Sequence, residues 1–440
     1  MAAQAAKKQG FHYGYLIVLS CIFICFGPCA LVLSCAGIYF RPVSADLGID
    51  PGMASYYLTA LFTGSFISLP FSGKLLQTKD ARLCVTASSV LVSVVFFALS
   101  FTMSLPYFIA CGFVMGLAIP MLLYLAAPVL INRWFAKRAG FFIGIAMAFT
   151  GIGGVVFNPV GTYFITTVGW AVGYRVFAII ALITTLPFSL FVIRSYPQDK
   201  GLEPFGADDV NASNTDVAKS AQAGMKASEA FRTKEFVLIF IWTLFVNICM
   251  YAYIILATFI GGMEVAGVSE ILTFAGFAVS VAMVGQTLGK VAFGVIGDKS
   301  PNACIIIGLA AGIIGLLCFQ FVPPTQASVL IAAFLVGLFA SLTNVVLPIM
   351  TRRVFGTLEY SAIYSRISMA ASLGGIVYAL IWGTLHTITG SWAPMFIGEA
   401  IMMGVCIAIG LVFMGSESRM QARWITPEDE PAQIAAEPKD

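Results

Sequence analysis

Long apolar stretches separated by short polar loops run along almost the whole chain. A transmembrane helix needs about 20 mostly apolar residues. Twelve stretches reach that length, at approximately 15–40, 54–76, 82–102, 105–131, 139–166, 173–193, 236–262, 269–297, 302–322, 325–351, 360–386 and 392–414. The pattern predicts an all-α membrane protein with twelve transmembrane helices in two sets of six.

One long polar segment separates the two sets of apolar stretches. It contains charges of both signs and, from Ala207 to Ala223, a stretch rich in Ser, Ala, Asn and Asp. We therefore expect an N-terminal six-helix bundle, a linker, a C-terminal six-helix bundle and a polar tail. Their predicted ranges are 1–193, 194–235, 236–414 and 415–440.

Composition agrees with this pattern. The 440 residues are 59% hydrophobic and only 10% charged, whereas a soluble protein carries about a quarter charged residues. Most of the ten cysteines lie inside apolar stretches. Their spacing is not that of a metal site or a disulfide framework, so we interpret them as small buried residues. No cofactor is expected.

Lys and Arg are concentrated in alternate loops, which predicts the orientation of the chain. Cytoplasmic loops of membrane proteins carry the excess of these residues. The cations at one end are Lys7, Lys8, Lys74, Lys79, Arg82, Arg133, Lys137, Arg138, Lys299, Arg352, Arg353, Arg419 and Arg423. The other loops hold few cations, with Arg41 and Arg175 as exceptions. Both termini and the linker are therefore expected to be cytoplasmic.

Two cations lie inside apolar stretches, Lys290 in 282–297 and Arg366 in 360–386. Such residues are costly in hydrocarbon and normally face water, a partner or a substrate. Neither has an acidic neighbour inside its own span. At 1.5 Å per residue, both lie roughly 10–12 Å from the cytoplasmic end of their helix. We expect them to bind one substrate anion together; the alternative is that both side chains snorkel to the cytoplasmic headgroups.

Two loops at equivalent places in the two halves suggest a gate. The second reads Gly294-Val-Ile-Gly-Asp298-Lys299, and the first begins at Gly73 but has Gln77 where the second has Asp298. Both resemble the Gly-x-x-x-Asp-Arg/Lys loop of the major facilitator superfamily. The resemblance implies the twelve-helix major facilitator fold. It also implies that Gly294, Asp298 and Lys299 belong to a cytoplasmic gate, in which the Asp holds charged and backbone partners.

Further motifs narrow the resemblance within that superfamily. The 132–147 junction and the 194–206 segment are similar to those of oxalate:formate antiporters and bacterial monocarboxylate porters. Lys290 and Arg366 stand where members of this group carry an anion-binding cation, with the cation type exchanged at each place. Tyr124 matches a tyrosine of the oxalate carriers. Ser34 replaces an aromatic residue of those carriers and the tenth span has no Trp, so the resemblance does not extend to oxalate itself.

Other polar residues within the spans complete the candidate site. Gln286 lies one turn from Lys290 on the same helix face. For Asn247, Tyr251 and Asn344 there are two alternatives: the side chains line a cavity, or they form structural hydrogen bonds between helices. The candidate substrate-binding residues are Lys290, Arg366, Tyr124, Gln286, Asn247, Tyr251 and Asn344.

These observations predict a secondary transporter of small mono- or dicarboxylates that works by alternating access. Exchange is the expected mode, because an empty site with unpaired cations is unfavourable for reorientation. Proton- or cation-coupled symport is the alternative. A membrane-embedded enzyme lacks a recognisable motif here, ATP-driven transport lacks a P-loop, and the two sets of six spans argue against a channel. We expect a monomer in a bacterial inner membrane that contacts lipid and binds no nucleic acid.

Overall fold

The computed structural model describes residues 12–49, 53, 56–207, 224–250, 253, 256–261, 263–269, 271–389 and 391–425. Within these ranges the chain is helical, and pairing between extended segments is limited to isolated bridges. The middle of the predicted linker and the end of the predicted tail lie outside the described residues.

The first six helices account for the N-terminal set of apolar stretches. They are α1 (Gly14–Leu47), α2 (Tyr56–Thr78), α3 (Ala81–Leu99), α4 (Leu105–Trp134), α5 (Ala139–Thr167) and α6 (Trp170–Phe191). Two of them contain a π-helical turn, Cys25–Cys29 in α1 and Met121–Ala126 in α4. Pro28 lies in the first of these turns and Pro120 directly precedes the second, consistent with proline disrupting the regular hydrogen-bond ladder.

The second six helices follow the same plan. They are α7 (Lys234–Met250), α8 (Ile271–Lys299), α9 (Pro301–Phe321), α10 (Gln326–Phe355), α11 (Tyr360–Thr389) and α12 (Ala393–Gly415). A short helix, Leu256–Gly261, follows α7, and α13 (Glu417–Ile425) follows α12. The predicted twelve-helix fold is confirmed.

Nine helical segments of the described chain are individually long and apolar enough to cross a membrane. The full-length α2 and α11 fall outside that set, and both carry rows of buried serines. These rows are Ser65, Ser68 and Ser72 in α2 and Ser361, Ser365, Ser368 and Ser372 in α11. The two helices pack against each other. Ser361 and Ser365 lie at this contact, against Gly73 of α2, and small residues of this kind let helix backbones approach closely in lipid. Ser65 and Ser68 instead donate to the main-chain oxygen of Gly116 in α4.

The two bundles meet through two helix pairs, α2 with α11 and α5 with α8. One end of the molecule holds the α2–α3, α4–α5, α8–α9 and α10–α11 loops, the end of α6 and the start of α7. We call it the linker end. The two helix pairs enclose the space between the bundles, and the candidate site lies there.

Candidate functional site

A cavity of about 280 Å³ lies between the two bundles. Its lining comes from α1, α2, α4 and α5 of the first bundle, α7, α8, α10 and α11 of the second, and the segment after α7. Apolar and aromatic side chains form most of the wall. The polar or aromatic residues include Ser34, Phe40, Phe62, Tyr124, Thr150, Asn247, Tyr253, Gln286, Lys290, Thr343, Asn344, Tyr364 and Ser368.

Lys290 is the one fully charged residue among the described residues that line this cavity. It is only 3% exposed. Its Nζ donates to Oγ1 of Thr150 at 2.7 Å and to Oε1 of Gln286 at 3.1 Å. Both acceptors are neutral, so hydrogen bonds hold the ammonium group without cancelling its charge. Since Thr150 lies on α5 and Lys290 on α8, this interaction also joins the two bundles.

Four of the other predicted site residues line the same cavity: Tyr124, Gln286, Asn247 and Asn344. Asn247 is buried, and its Nδ2 donates to the main-chain oxygen of Thr243 at 2.8 Å, one turn earlier on α7. Tyr251 lies outside the described residues. The structure therefore brings these four residues together with Lys290, and their role in binding stays a prediction.

Arg366 does not join this group. It is exposed, and its guanidinium lies 3.9 Å from the centre of the Phe231 ring, just before α7. Tyr364 and Ser368 line the cavity from the same helix, and at about 100° per residue Arg366 falls on the opposite helix face. This structure therefore does not place Lys290 and Arg366 at one cavity, and snorkelling of Arg366 stays a prediction.

Sequence reasoning missed six polar cavity residues, namely Ser34, Thr150, Tyr253, Thr343, Tyr364 and Ser368. Tyr364, Ser368 and Ala371 all line the cavity, at the i, i+4, i+7 spacing of one helix face. The sequence contains that spacing, but the predicted site was based on Arg366, which lies on the opposite face of α11. Thr150 had no comparable signal, because it becomes important only through its contact with Lys290 on another helix.

The loop that the sequence predicts to be a gate lies at the linker end and contacts the other bundle. The carboxylate of Asp298 accepts hydrogen bonds from the main-chain N–H of Gly140 at 2.8 Å and of Phe141 at 2.9 Å. These are among the first amides of α5, which have no partner within their own helix. Asp298 of one bundle thus caps a helix of the other. Lys299, the third predicted gate residue, is exposed.

Two arginines reinforce this contact, and the sequence did not single them out for that role. Arg352 donates to Oδ1 of Asn132 in the other bundle at 2.9 Å. Arg353 donates to the main-chain oxygen of Asp298 at 2.5 Å. Of these two loop cations, Arg352 therefore joins the bundles, while Arg353 holds the end of α8 within the second bundle.

Glycines allow α5 and α8 to cross at this point. A Cβ on Gly294 would lie 2.6 Å from the main-chain oxygen of Gly140, and a Cβ on Gly144 would collide with the main-chain oxygen of Lys290. Gly294 therefore suits this position, because the backbone of α5 leaves no room for a side chain there. The same crossing positions Lys290 beside α5.

The equivalent contact of the other half lacks a carboxylate. Gly73 of α2 packs closely against Ser361 and Ser365 of α11, but Gln77 stands in place of the Asp. The nearby Asp80 instead caps α3 of its own bundle, accepting from the N–H of Arg82 at 2.9 Å. The two halves therefore close the linker end in different ways.

Two six-helix bundles around a central cavity are the architecture of a large class of membrane carriers. The family model for the Major Facilitator Superfamily matches residues 22–275 and 271–439. The chain belongs to the Major Facilitator Superfamily. It is accordingly a multi-pass membrane transporter and not an enzyme.

Relatives of the chain within the superfamily carry names of anion transporters. The Xenopus laevis protein named monocarboxylate transporter 12 is 24% identical, over 92% of this chain and 91% of the relative. A Cupriavidus necator protein named a probable sulfoacetate transporter, SauU, is 22% identical over 60% of this chain and 63% of its own length.

Solved structures of superfamily members confirm the fold. The Escherichia coli fucose:proton symporter FucP has a TM-score of 0.64 and 16% identity, covering 92% of this chain and 98% of the symporter. The proton:xylose symporter XylE has a TM-score of 0.63 and 14% identity, covering 94% and 96%. At these identities the likeness concerns the fold alone.

Proposed function

We propose that this chain transports small monocarboxylates by alternating access. The observation that carries the proposal is one buried ammonium group, that of Lys290, in a small cavity whose other described lining residues carry no full charge. A single negative charge neutralises it, whereas a dianion would leave a surplus charge in a low-dielectric site. The cavity is near the lower end of the roughly 300–1,000 Å³ of small-molecule sites. The named transporter of Xenopus laevis supports the same substrate class.

Contacts at Lys290 suggest how binding couples to movement. Its Nζ already bonds to Thr150 across the bundle interface at 2.7 Å. A carboxylate that accepts from the same ammonium group competes with this hydroxyl, so substrate binding alters a contact between the bundles. The wall otherwise offers apolar surface to the hydrocarbon part of the substrate.

Exchange is the mode that we infer. Without substrate, the buried charge of Lys290 has only neutral hydrogen-bond partners among the described residues. Such a charge is unfavourable while the cavity is cut off from water on both sides. A bound carboxylate removes this penalty, so the loaded carrier crosses between states more readily than the empty one.

Proton symport is the second candidate, because of Glu399 in α12. Glu399 is fully buried, and neither carboxylate oxygen has a hydrogen-bond partner among the described residues. Acidic side chains inside spans mark proton pathways in many carriers. It does not line the cavity, so this mode would need coupling between α12 and the site.

Counterflow in proteoliposomes tests the transport mode and the substrate class. Vesicles loaded with an unlabelled monocarboxylate should accumulate the labelled compound, and the same vesicles loaded with buffer should not. A dicarboxylate or sulfoacetate inside should drive much less uptake. Uptake into empty vesicles that is driven by an imposed proton gradient, and lost in Glu399→Gln, would instead establish symport. Counterflow with no carboxylate of the panel would refute the proposed substrate class.

We also propose that the linker end faces the cytoplasm, as the bias of Lys and Arg in its loops indicates. The contacts of Asp298 and Arg352 between the bundles then lie on the cytoplasmic side of the cavity. A cysteine introduced at Ala218 should react with an impermeant maleimide only after the cells are opened. Labelling of that cysteine in intact cells would reverse the orientation.

A further inference from the structure

A second cavity, of about 390 Å³, lies at the linker end between the bundles. None of its described lining residues is shared with the central cavity. Its walls are the end of α2, the end of α4, the segment 196–204 that follows α6, and the start of α11. We call it the linker-end cavity. Polar groups make up much of its lining, which includes Gln77, Asn132, Arg133, Tyr196, Gln198, Asp199, Thr357 and Ser361.

Two side chains in this wall have unused donors. Arg133 donates through Nη2 to the main-chain oxygen of Leu76 at 3.0 Å and lies with its guanidinium 4.4 Å from the centre of the Tyr196 ring. Its Nη1 is buried and has no partner among the described residues. Asn132 is 7% exposed, and its Nδ2 is likewise without a partner in the described chain. Buried donors of this kind usually have an acceptor.

The internal symmetry of the fold indicates which acceptor is missing. In the other half, the carboxylate of Asp298 caps the N-terminus of α5 from the opposite bundle. The linker-end cavity lies at the equivalent place, against Tyr360 and Ser361 in the first turn of α11. Gln77 occupies the position of the carboxylate. Helix N-termini attract anions through their free amides and dipole, and here no side-chain anion is supplied from α2.

We propose that the linker-end cavity binds a small free oxyanion, such as phosphate or a carboxylate, between Arg133, Asn132 and the N-terminus of α11. One acidic side chain, that of Asp199, also borders the cavity, and its carboxylate accepts from the N–H of Tyr196 at 2.9 Å. The oxyanion supplies the negative charge that Asp298 provides in the other half. Because its partners lie in both bundles, it stabilises the state in which the linker end is closed. The site is independent of the proposed carboxylate site at Lys290.

Labelling of a cysteine at Leu358 measures occupancy of this cavity directly. Leu358 lines the cavity and is 43% exposed, so Leu358→Cys should react with a maleimide while every native cysteine is buried or partly buried. Inorganic phosphate is the probe, in purified full-length protein at constant ionic strength. At about ten times its dissociation constant, phosphate should slow the reaction roughly tenfold, because only about a tenth of the sites remain empty.

Three further variants make the test specific. Arg133→Gln should abolish protection, whereas Lys79→Gln, which removes an exposed cation from the same end, should retain it. Gln77→Glu supplies the missing carboxylate within the chain, and it should slow labelling without phosphate and remove the phosphate effect. Lys290→Gln should leave protection intact, which separates this site from the central one.

Equal protection in wild type and in both Arg133→Gln and Gln77→Glu would overturn the proposal. The Gln77→Glu result keeps the test valid if Arg133→Gln fails to fold, because glutamate matches glutamine in size. Protection by phosphatidic acid in the same detergent, without protection by phosphate, would also overturn it and would identify a lipid headgroup as the ligand.

Discussion

Replacing Lys290 by glutamine is expected to weaken carboxylate binding by about ten- to a hundredfold. Lys290 supplies the only full charge among the described lining residues of the central cavity. A hydrogen bond to a charged group contributes about 1.5–3 kcal/mol, and each 1.4 kcal/mol corresponds to about a factor of ten. The measurement is direct binding of a labelled monocarboxylate to the purified variant, with counterflow in proteoliposomes as the functional readout.

Two variants control this experiment. Lys290→Arg keeps the charge and should lose less affinity than Lys290→Gln, unless the wider guanidinium fails to fit beside Thr150. Arg366→Gln removes the other cation of the apolar spans. Since Arg366 lies over Phe231 and away from the cavity, its loss should cost about 0.5–1 kcal/mol of cation–π contact and leave substrate affinity close to that of wild type.

Loss of folding is not the expected explanation for weak binding in Lys290→Gln. Removing a buried charge is often neutral or stabilising when the remaining groups stay hydrogen-bonded. The thermal unfolding midpoint of the variant should therefore equal or exceed that of wild type. Wild-type affinity in Lys290→Gln, or a loss in Arg366→Gln as large as in Lys290→Gln, would contradict the assignment of Lys290 as the sole anion-binding cation.

Lys290 and Arg366 show which features of a helical membrane protein a single sequence predicts. The depth of a residue in the membrane follows from counting residues from the end of its helix. This count predicts a similar depth for Lys290 and Arg366. The helix face follows only from comparison with neighbours on the same helix. For Lys290, Gln286 one turn away confirms the face, whereas Tyr364 and Ser368 place the cavity face of α11 opposite Arg366.

The fold itself was predictable because hydrocarbon imposes one requirement on every span. Backbone groups must be satisfied within the segment, so each apolar stretch of sufficient length forms a helix. For the serine-rich α2 and α11, hydropathy alone is a weaker indicator of a transmembrane helix. Ser361 and Ser365 of α11 lie against Gly73 of α2, whereas Ser65 and Ser68 of α2 donate to the main-chain oxygen of Gly116 in α4. These partners could not be read from either stretch separately.

The gate was predictable in position but not in its partners. The motif indicates Asp298, while its acceptor role toward Gly140 and Phe141 depends on how α8 crosses α5. Thr150 and Arg352 are similar, since each becomes important through a residue more than a hundred positions away. Contacts between the bundles are long-range, and periodicity carries no information about them.

Replacing Asp298 by asparagine is expected to shift the carrier toward states with an open linker end. The carboxylate accepts from two amides of α5 in the opposite bundle, and the amide side chain keeps one acceptor oxygen and loses the charge. A loss of about 1.5–3 kcal/mol from the closed state corresponds to roughly a ten- to hundredfold change in the ratio of closed to open forms.

A cysteine at Ile349 reports on this shift. Ile349 is 6% exposed and lies against Gly140 and Gly297 in the closed contact, so Ile349→Cys should react slowly with an impermeant maleimide applied from the linker end. Adding Asp298→Asn should raise the labelling rate by about the same ten- to hundredfold factor, because reactivity follows the population of the open form.

Asp80→Asn is the matched control, because Asp80 caps α3 within its own bundle and lies at the same end of the molecule. It should reduce local stability without changing the reactivity of the cysteine at Ile349, since the described hydrogen-bond partners of Asp80, Arg82 and Ser195, lie in its own bundle. If both variants raise labelling equally, the effect is general loosening of the linker end. If neither does, the two hydrogen bonds from α5 to Asp298 do not hold the bundles together, and closure depends on other contacts, such as Arg352 with Asn132 and the α2–α11 pair.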